Sequence, residues 1–170
     1  MKKIILLFAF LIGFTSITNA QETVEVLMEN ALSEAVESDK HVLVKFEASW
    51  CGWCHRMTKQ IKNKKLNKYF SDNYVMLPIV VFENGDKVKL ENEGSRELIK
   101  KYKGESAGLP FWVILDKTGK VVADSFNDKG ENLGCPGSKE EVAVFIQKLK
   151  ATSEMSKKVE KDITQVFTIK

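Results

Sequence analysis

Two cysteines separated by two residues, Cys51-Gly52-Trp53-Cys54, sit where a short apolar run meets the start of a helical pattern. That junction constrains the chain more than any other feature. The run before it, His41 to Ala48, is short and rich in Val and Phe, which predicts a buried strand. After it, Cys54, Met57 and Ile61 share one helical face, while Lys59, Lys62, Lys64 and Lys65 stay in water. The spacing puts Cys51 at a helix N-terminus, where unpaired backbone N–H groups and the helix dipole favour an anion. A lowered thiol pKa is therefore expected at Cys51, with the thiolate as attacking species. Cys54, one turn further in, is expected to be more buried and protonated until needed. A disulfide across that turn requires little backbone movement.

The rest of the chain supplies elements to pack against this junction. Val24, Leu27, Met28, Ala31, Leu32 and Ala35 recur at helical spacing between Thr23 and Ser38. Tyr74 to Phe82 reads as a second central strand, broken by Glu83-Asn84-Gly85-Asp86, and Val88 to Asn92 as further extended structure. Ser95 is placed to cap a short helix carrying Leu98, Ile99 and Tyr102 and ended by Gly104. Phe111 to Leu115 and Lys120 to Ser125 form two strands around the turn Asp116-Lys117-Thr118-Gly119. Ser138 and Glu141 make a capping box ahead of Val142, Phe145, Ile146 and Leu149. The order is helix, strand, helix, strand, helix, strand, strand, helix. It implies an α/β fold: a central mixed β-sheet with helices on both faces. From Ala151 onward, Met155, Val159 and Ile163 fit either an extra helix or a frayed end.

Residues 1–20 read as a signal peptide: Lys2 and Lys3, then an apolar run from Ile4 to Phe14, then a small residue, Ala20, before a cut. The run is shorter than the roughly 20 residues that span a bilayer. A soluble chain outside the cytoplasm is expected, periplasmic or secreted, without stable membrane insertion after cleavage. Residues 21–150 make one domain and 151–170 a C-terminal extension. The net charge of +3 is small and the lysines alternate with Asp and Glu, a solvated surface rather than a nucleic-acid footprint. Three cysteines in an oxidising compartment leave one thiol outside any single pair within the chain.

The arrangement resembles the thioredoxin superfamily. Val42-Leu43-Val44-Lys45-Phe46 before Trp50-Cys51-Gly52-Trp53-Cys54 is similar to the family's central strand and active-site turn. Gly108-Leu109-Pro110 resembles its cis-proline loop, and Phe111 to Asp116 its next strand. Signal-bearing, thioredoxin-like proteins with Trp-Cys-Gly-Trp-Cys-His are the subgroup most like this chain. The resemblance implies a thiol–disulfide oxidoreductase with Cys51 as nucleophile and Cys54 as resolving thiol. It implies no cofactor beyond a redox-active Cys51–Cys54 disulfide, and no metal. The partners it implies are proteins carrying disulfides or dithiols, together with a donor or acceptor of electrons. It also implies a cis Pro110, a Leu109 peptide group that hydrogen-bonds an extended substrate, and a rim formed by Trp50, Gly52 and Trp53. Gly52-Trp53 lacks the central His of strongly oxidising or isomerising relatives, which favours the reductase direction.

Two departures stand out. The family's buried acid, six residues before the first cysteine, is replaced by Lys45, with Glu47 two residues on and on the same strand face. Either the pair acts as a proton relay with Glu47 as acceptor, or Lys45 reaches solvent and pairs structurally. Cys135, in Leu133-Gly134-Cys135-Pro136-Gly137, is either a third exchanging thiol or a quiet loop cysteine. Rival functions are a redox-silent binding module or chaperone using the same groove, and a c-type haem protein using Cys51-Gly52-Trp53-Cys54-His55. A zinc site from Cys51, Cys54, His55 and Cys135 is a further alternative.

Overall fold

The computed structural model describes residues 21–169; the signal peptide expected over residues 1–20 lies outside them. Strands β1 (His41–Glu47), β2 (Tyr74–Val80), β3 (Phe111–Leu115) and β4 (Val121–Asp124) form one sheet in the order β2-β1-β3-β4. β2 runs parallel to β1, whereas β3 is antiparallel to β1 and β4 to β3. Pro78 faces Lys45 in the β1–β2 register, and its missing N–H is harmless because β2 is an edge strand.

The alternation along β1 divides the core in two. Val42, Val44 and Phe46 join Phe111, Val113 and Leu115 under α1 (Val24–Ser38) and α4 (Ser95–Lys101). Leu43 joins Trp112 and Ile114 on the opposite face. That face is covered by α2 (Gly52–Ile61), α3 (Asn67–Asn73), α5 (Lys139–Lys150) and α6 (Lys157–Phe167). The expected mixed sheet with helices on both faces is therefore present. Ser138 and Glu141 close the reciprocal capping box at the start of α5.

Several local expectations are corrected. The segment read as extended over Val88 to Asn92 is mostly a 3-10 helix, Gly85–Leu90. At the end of β2, Asn92 takes the place of a paired strand: its Oδ1 accepts from Val80 N–H at 2.8 Å and its own N–H donates to Val80 O at 3.1 Å. Ser95 is buried inside the first turn of α4, and Gly94 takes the cap position instead. Gly94 has φ +82°, and a Cβ there would stand 2.8 Å from Val24 Cγ2, so both the backbone and α1 require glycine. α2 ends at Ile61, leaving Lys64 and Lys65 in a turn before α3. α3 (Asn67–Asn73) was not expected from the sequence; it buries Tyr69 and Phe70 in the core, with Leu66 just before it.

Of the two readings of the tail, the structure has the helix. Phe167 is fully buried on α6 and extends an aromatic row from Trp112 through Phe145, with ring centroids 5.4 and 5.2 Å apart in turn. Gln60 Nε2 ties α2 to α6 by donating to Val166 O at 3.0 Å. Tyr74 OH meets Thr152 Oγ1 at 2.8 Å beneath the α5–α6 connection. α6 is thus part of the core and not an appendage. Phe167→Ala is expected to cost about 3–5 kcal/mol in denaturant unfolding, whereas Lys161→Ala, exposed on the same helix, should change little. Equal small effects would contradict the packing of α6.

Candidate functional site

β1 is covered on both faces, so the chain leaving its end at Glu47 must turn out of the sheet. Ser49 and Trp50 make that turn, and buried Glu83 holds it. Its carboxylate accepts from Ser49 N–H at 2.5 Å and from Ser49 Oγ at 2.8 Å. Trp50 Nε1 donates to Phe82 O at 2.7 Å, and His55 Nε2 lies 2.9 Å from Ser49 O. Phe82 has φ +58°, a left-handed conformation costly for a bulky residue, and it presents that carbonyl to Trp50.

Cys51 is the N-cap of α2, and its Sγ accepts from Cys54 N–H at 3.1 Å. The first turn of α2 thus directs a backbone amide at this sulfur, as expected from its position. Cys51 and Cys54 are joined in a disulfide with Cα atoms 5.3 Å apart. Cys51 retains 4% exposure and Cys54 none, so the outer sulfur is the approachable one. Ala48 and Leu109 pack on the pair. The Leu109–Pro110 peptide is cis.

Asn132 sets the proline loop beside the disulfide. Its Nδ2 donates to Ala107 O at 3.0 Å and Pro110 O at 3.1 Å, while its Oδ1 accepts from Gly134 N–H at 3.0 Å. Among the described residues Leu109 N–H and C=O have no hydrogen-bond partner. Trp53, Leu109 and Pro110 border a cleft of about 320 Å³ that reaches Asn132 and Cys135. Trp50 and Trp53 are 55% and 52% exposed and flank the sulfurs, with the Arg56 guanidinium 5.7 Å from the Trp53 ring centre. A Cβ on Gly52 would meet nothing within 4 Å, so the dipeptide between the cysteines is open above.

Lys45 does not reach solvent, contrary to one of its two expected readings: it is buried, with 4% exposure. Its ammonium forms an ion pair with Glu47 and donates to Thr58 Oγ1, which in turn donates to Cys54 O at 3.1 Å. The Lys45–Glu47 pair therefore reaches the backbone of the inner cysteine. Cys135 lies apart from this chain of bonds. It is unpaired and buried, its Sγ donating to Gln60 Oε1 at 3.1 Å. Burial pushes its thiol pKa up to about 11, against the opposing pull of Arg56.

The haem and zinc alternatives need the two sulfurs of the disulfide for other bonds, and His55 is engaged with Ser49. Among the described residues no three His, Cys, Asp or Glu side chains gather in metal-binding geometry. Sequence reading missed Glu83, Thr58 and Asn132. Glu83 looked like a strand breaker, Thr58 an ordinary helix residue and Asn132 part of a polar loop; their roles come from partners 34, 4 and 22 residues away.

Comparison with known proteins agrees with this geometry. The thioredoxin-like family profile matches residues 23–117. A thiol:disulfide interchange protein TxlA homolog from Synechocystis sp. is 30% identical over 98 residues, 58% of this chain and 47% of that protein. The chain thus spans about half the length of that relative. Among solved structures, a disulphide isomerase from Xylella fastidiosa superposes with TM-score 0.52 and 21% identity, covering 94% of this chain and 96% of the other. The oxidised C-terminal domain of DsbD from Neisseria meningitidis superposes with TM-score 0.50 and 16% identity, covering 78% and 98%. At these identities the structural likenesses establish the fold.

With its pKa near 11, Cys135 should be an unreactive thiol at neutral pH. In the oxidised native protein at pH 8, alkylation of Cys135 is expected to be at least tenfold slower than in the unfolded protein (an order-of-magnitude figure from the loss of thiolate). Labelling at the unfolded rate, read by mass spectrometry, would contradict its burial.

Proposed function

The chain belongs to the thioredoxin-like family, and from that premise we propose that it exchanges disulfides with partner proteins through Cys51 and Cys54, chiefly as a reductase. One observation carries the reading: the Cys51–Cys54 disulfide caps α2 directly beside the cis Leu109–Pro110 loop, where Leu109 N–H and C=O have no partner among the described residues. In the reduced form, the Cys51 thiolate attacks a partner disulfide and displaces one partner sulfur as thiolate, giving a mixed disulfide. Cys54 then loses its proton, attacks Cys51 Sγ and releases the second partner thiolate. The partner gains two electrons and the protein returns to the oxidised form. An electron donor of the same dithiol chemistry resets it. Leu109 pairs with the backbone of the partner segment, Pro110 sets its distance, and Trp50 and Trp53 supply apolar contact around Gly52.

Export to the periplasm or the cell exterior is the second part of the proposal. It rests on Lys2, Lys3 and the apolar run Ile4 to Phe14. A quiet Cys135 fits the same scheme, because its buried thiol leaves exchange to one pair.

The Cys51→Ser variant should lose reduction of a protein disulfide altogether, while the wild-type pair should equilibrate near the thioredoxin value of about −270 mV. Retained turnover in Cys51→Ser would remove Cys51 from the role of nucleophile. A potential near that of the strongest periplasmic oxidants, about −120 mV, would reverse the direction.

The Lys45–Glu47 pair is proposed to manage the Cys54 proton, with Glu47 as acceptor and Lys45 holding it against α2. Glu47→Gln is then expected to slow resolution of a Cys51 mixed disulfide by about tenfold or more, given typical general-base contributions of about 10²–10⁴. An unchanged rate across the pH profile would leave the pair as structure alone.

A further inference from the structure

A large groove lies away from the proline side of the disulfide. It runs along the other flank of α2, with a volume of about 1260 Å³. Gly52, His55, Arg56, Lys59 and Gln60 recur at spacings of three and four and form one wall. The C-terminal end of α6, from Thr164 to Thr168, forms the other, with Lys139 from the start of α5. These second-wall residues lie outside the segment 23–117 that matches the family profile, so the groove is built by this chain's own C-terminal helix.

Its charge is one-sided. Arg56, Lys59, Lys65 and Lys139 line it, and no Asp or Glu does. Among the described residues Arg56, Lys59 and Lys139 take part in no ion pair, and Lys65 stands 3.9 Å from Asp162. The two buried side-chain polar atoms without a partner among the described residues, Arg56 Nε and Thr168 Oγ1, both belong to residues lining this groove. A volume above the roughly 300–1,000 Å³ of small-molecule sites suits a length of chain better than a single small anion. Its lining includes Gly52, the residue that follows Cys51 in the chain.

We propose that this groove seats an acidic segment of the partner protein, flanking the disulfide presented to Cys51. The inference rests on the exchange function above and adds the chemistry of its partner. Like-signed charges lining a groove concentrate an opposite charge and accelerate encounter, and salt weakens the effect. The cleft at Pro110 then receives the residues around the partner's cysteine, and the α2–α6 groove receives the acidic stretch beyond.

The test compares reduction of three disulfide-closed peptides, identical except for a flanking run of glutamates, serines or lysines. For the wild type, kcat/KM for the glutamate peptide should exceed that for the serine peptide about tenfold at low ionic strength. The ratio should collapse as salt shortens the screening length from about 30 Å at 0.01 M to about 8 Å at 0.15 M. Lys59→Glu with Lys139→Glu should reverse the order in favour of the lysine peptide. A charge-matched control at the far pole, Lys40→Glu with Lys120→Glu, should keep the wild-type order. A wild-type ratio near one, or equal loss of preference in both double variants, would overturn the groove. Failure to reduce any of the three peptides would instead overturn the exchange reading, and this inference with it.

Discussion

β1 is buried on both faces and paired along both edges, and everything about the site depends on where it ends. A strand so enclosed cannot bend within the sheet, so the chain must leave at Glu47 and reverse over its face. That reversal brings Cys51 to the first turn of α2. The buried Glu83 carboxylate then fixes the turn by accepting two hydrogen bonds from Ser49. Charge-assisted bonds of this kind are stronger than neutral ones and give the turn a single geometry. The outer sulfur inherits its position from the sheet and its electrostatics from the helix.

The same face of β1 carries a polar exception. Lys45 is buried among apolar neighbours, and such a charge persists only when paired. Glu47 and Thr58 supply that pairing and connect it to the Cys54 carbonyl. An ion pair thus stands where relatives carry an isolated acid. It ties a carboxylate to the inner cysteine only through Lys45 and Thr58, without burying an unpaired negative charge.

The second core, beneath α2, is completed by α6. Phe167 closes the aromatic row begun by Trp112, and Gln60 reaches the last carbonyls of α6 from α2. Docking α6 there has two results. It buries the side of α2 that faces the core, and it leaves a cationic channel between the two helices that includes Gly52, next to Cys51 in the chain. Asn132 does the comparable work on the other flank, where one amide holds the proline loop at both its ends. The sulfurs therefore lie between two unlike surfaces, one shaped by backbone and the other by charge.

Local chemistry was legible in the sequence because it depends on short spacings. Cys51 at a helix start, Cys54 one turn inward, the capping box at Ser138 and the apolar alternation of the strands are all periodicities of a few residues. The mixed sheet followed from their order, and the family likeness added the cis bond at Pro110. What only the tertiary structure decided depends on residues far apart in the chain. Asn92 satisfies both backbone groups of Val80 where extended structure was expected. Gly94 stands as cap before Ser95, at a position where Val24 from α1 leaves room only for glycine. Of two readings each for Lys45 and the C-terminal tail, packing selected the buried ion pair and the docked helix. Glu83, Thr58 and Asn132 carry no mark in sequence, because a hydrogen bond's worth depends on burial and on the partner that folding brings to it.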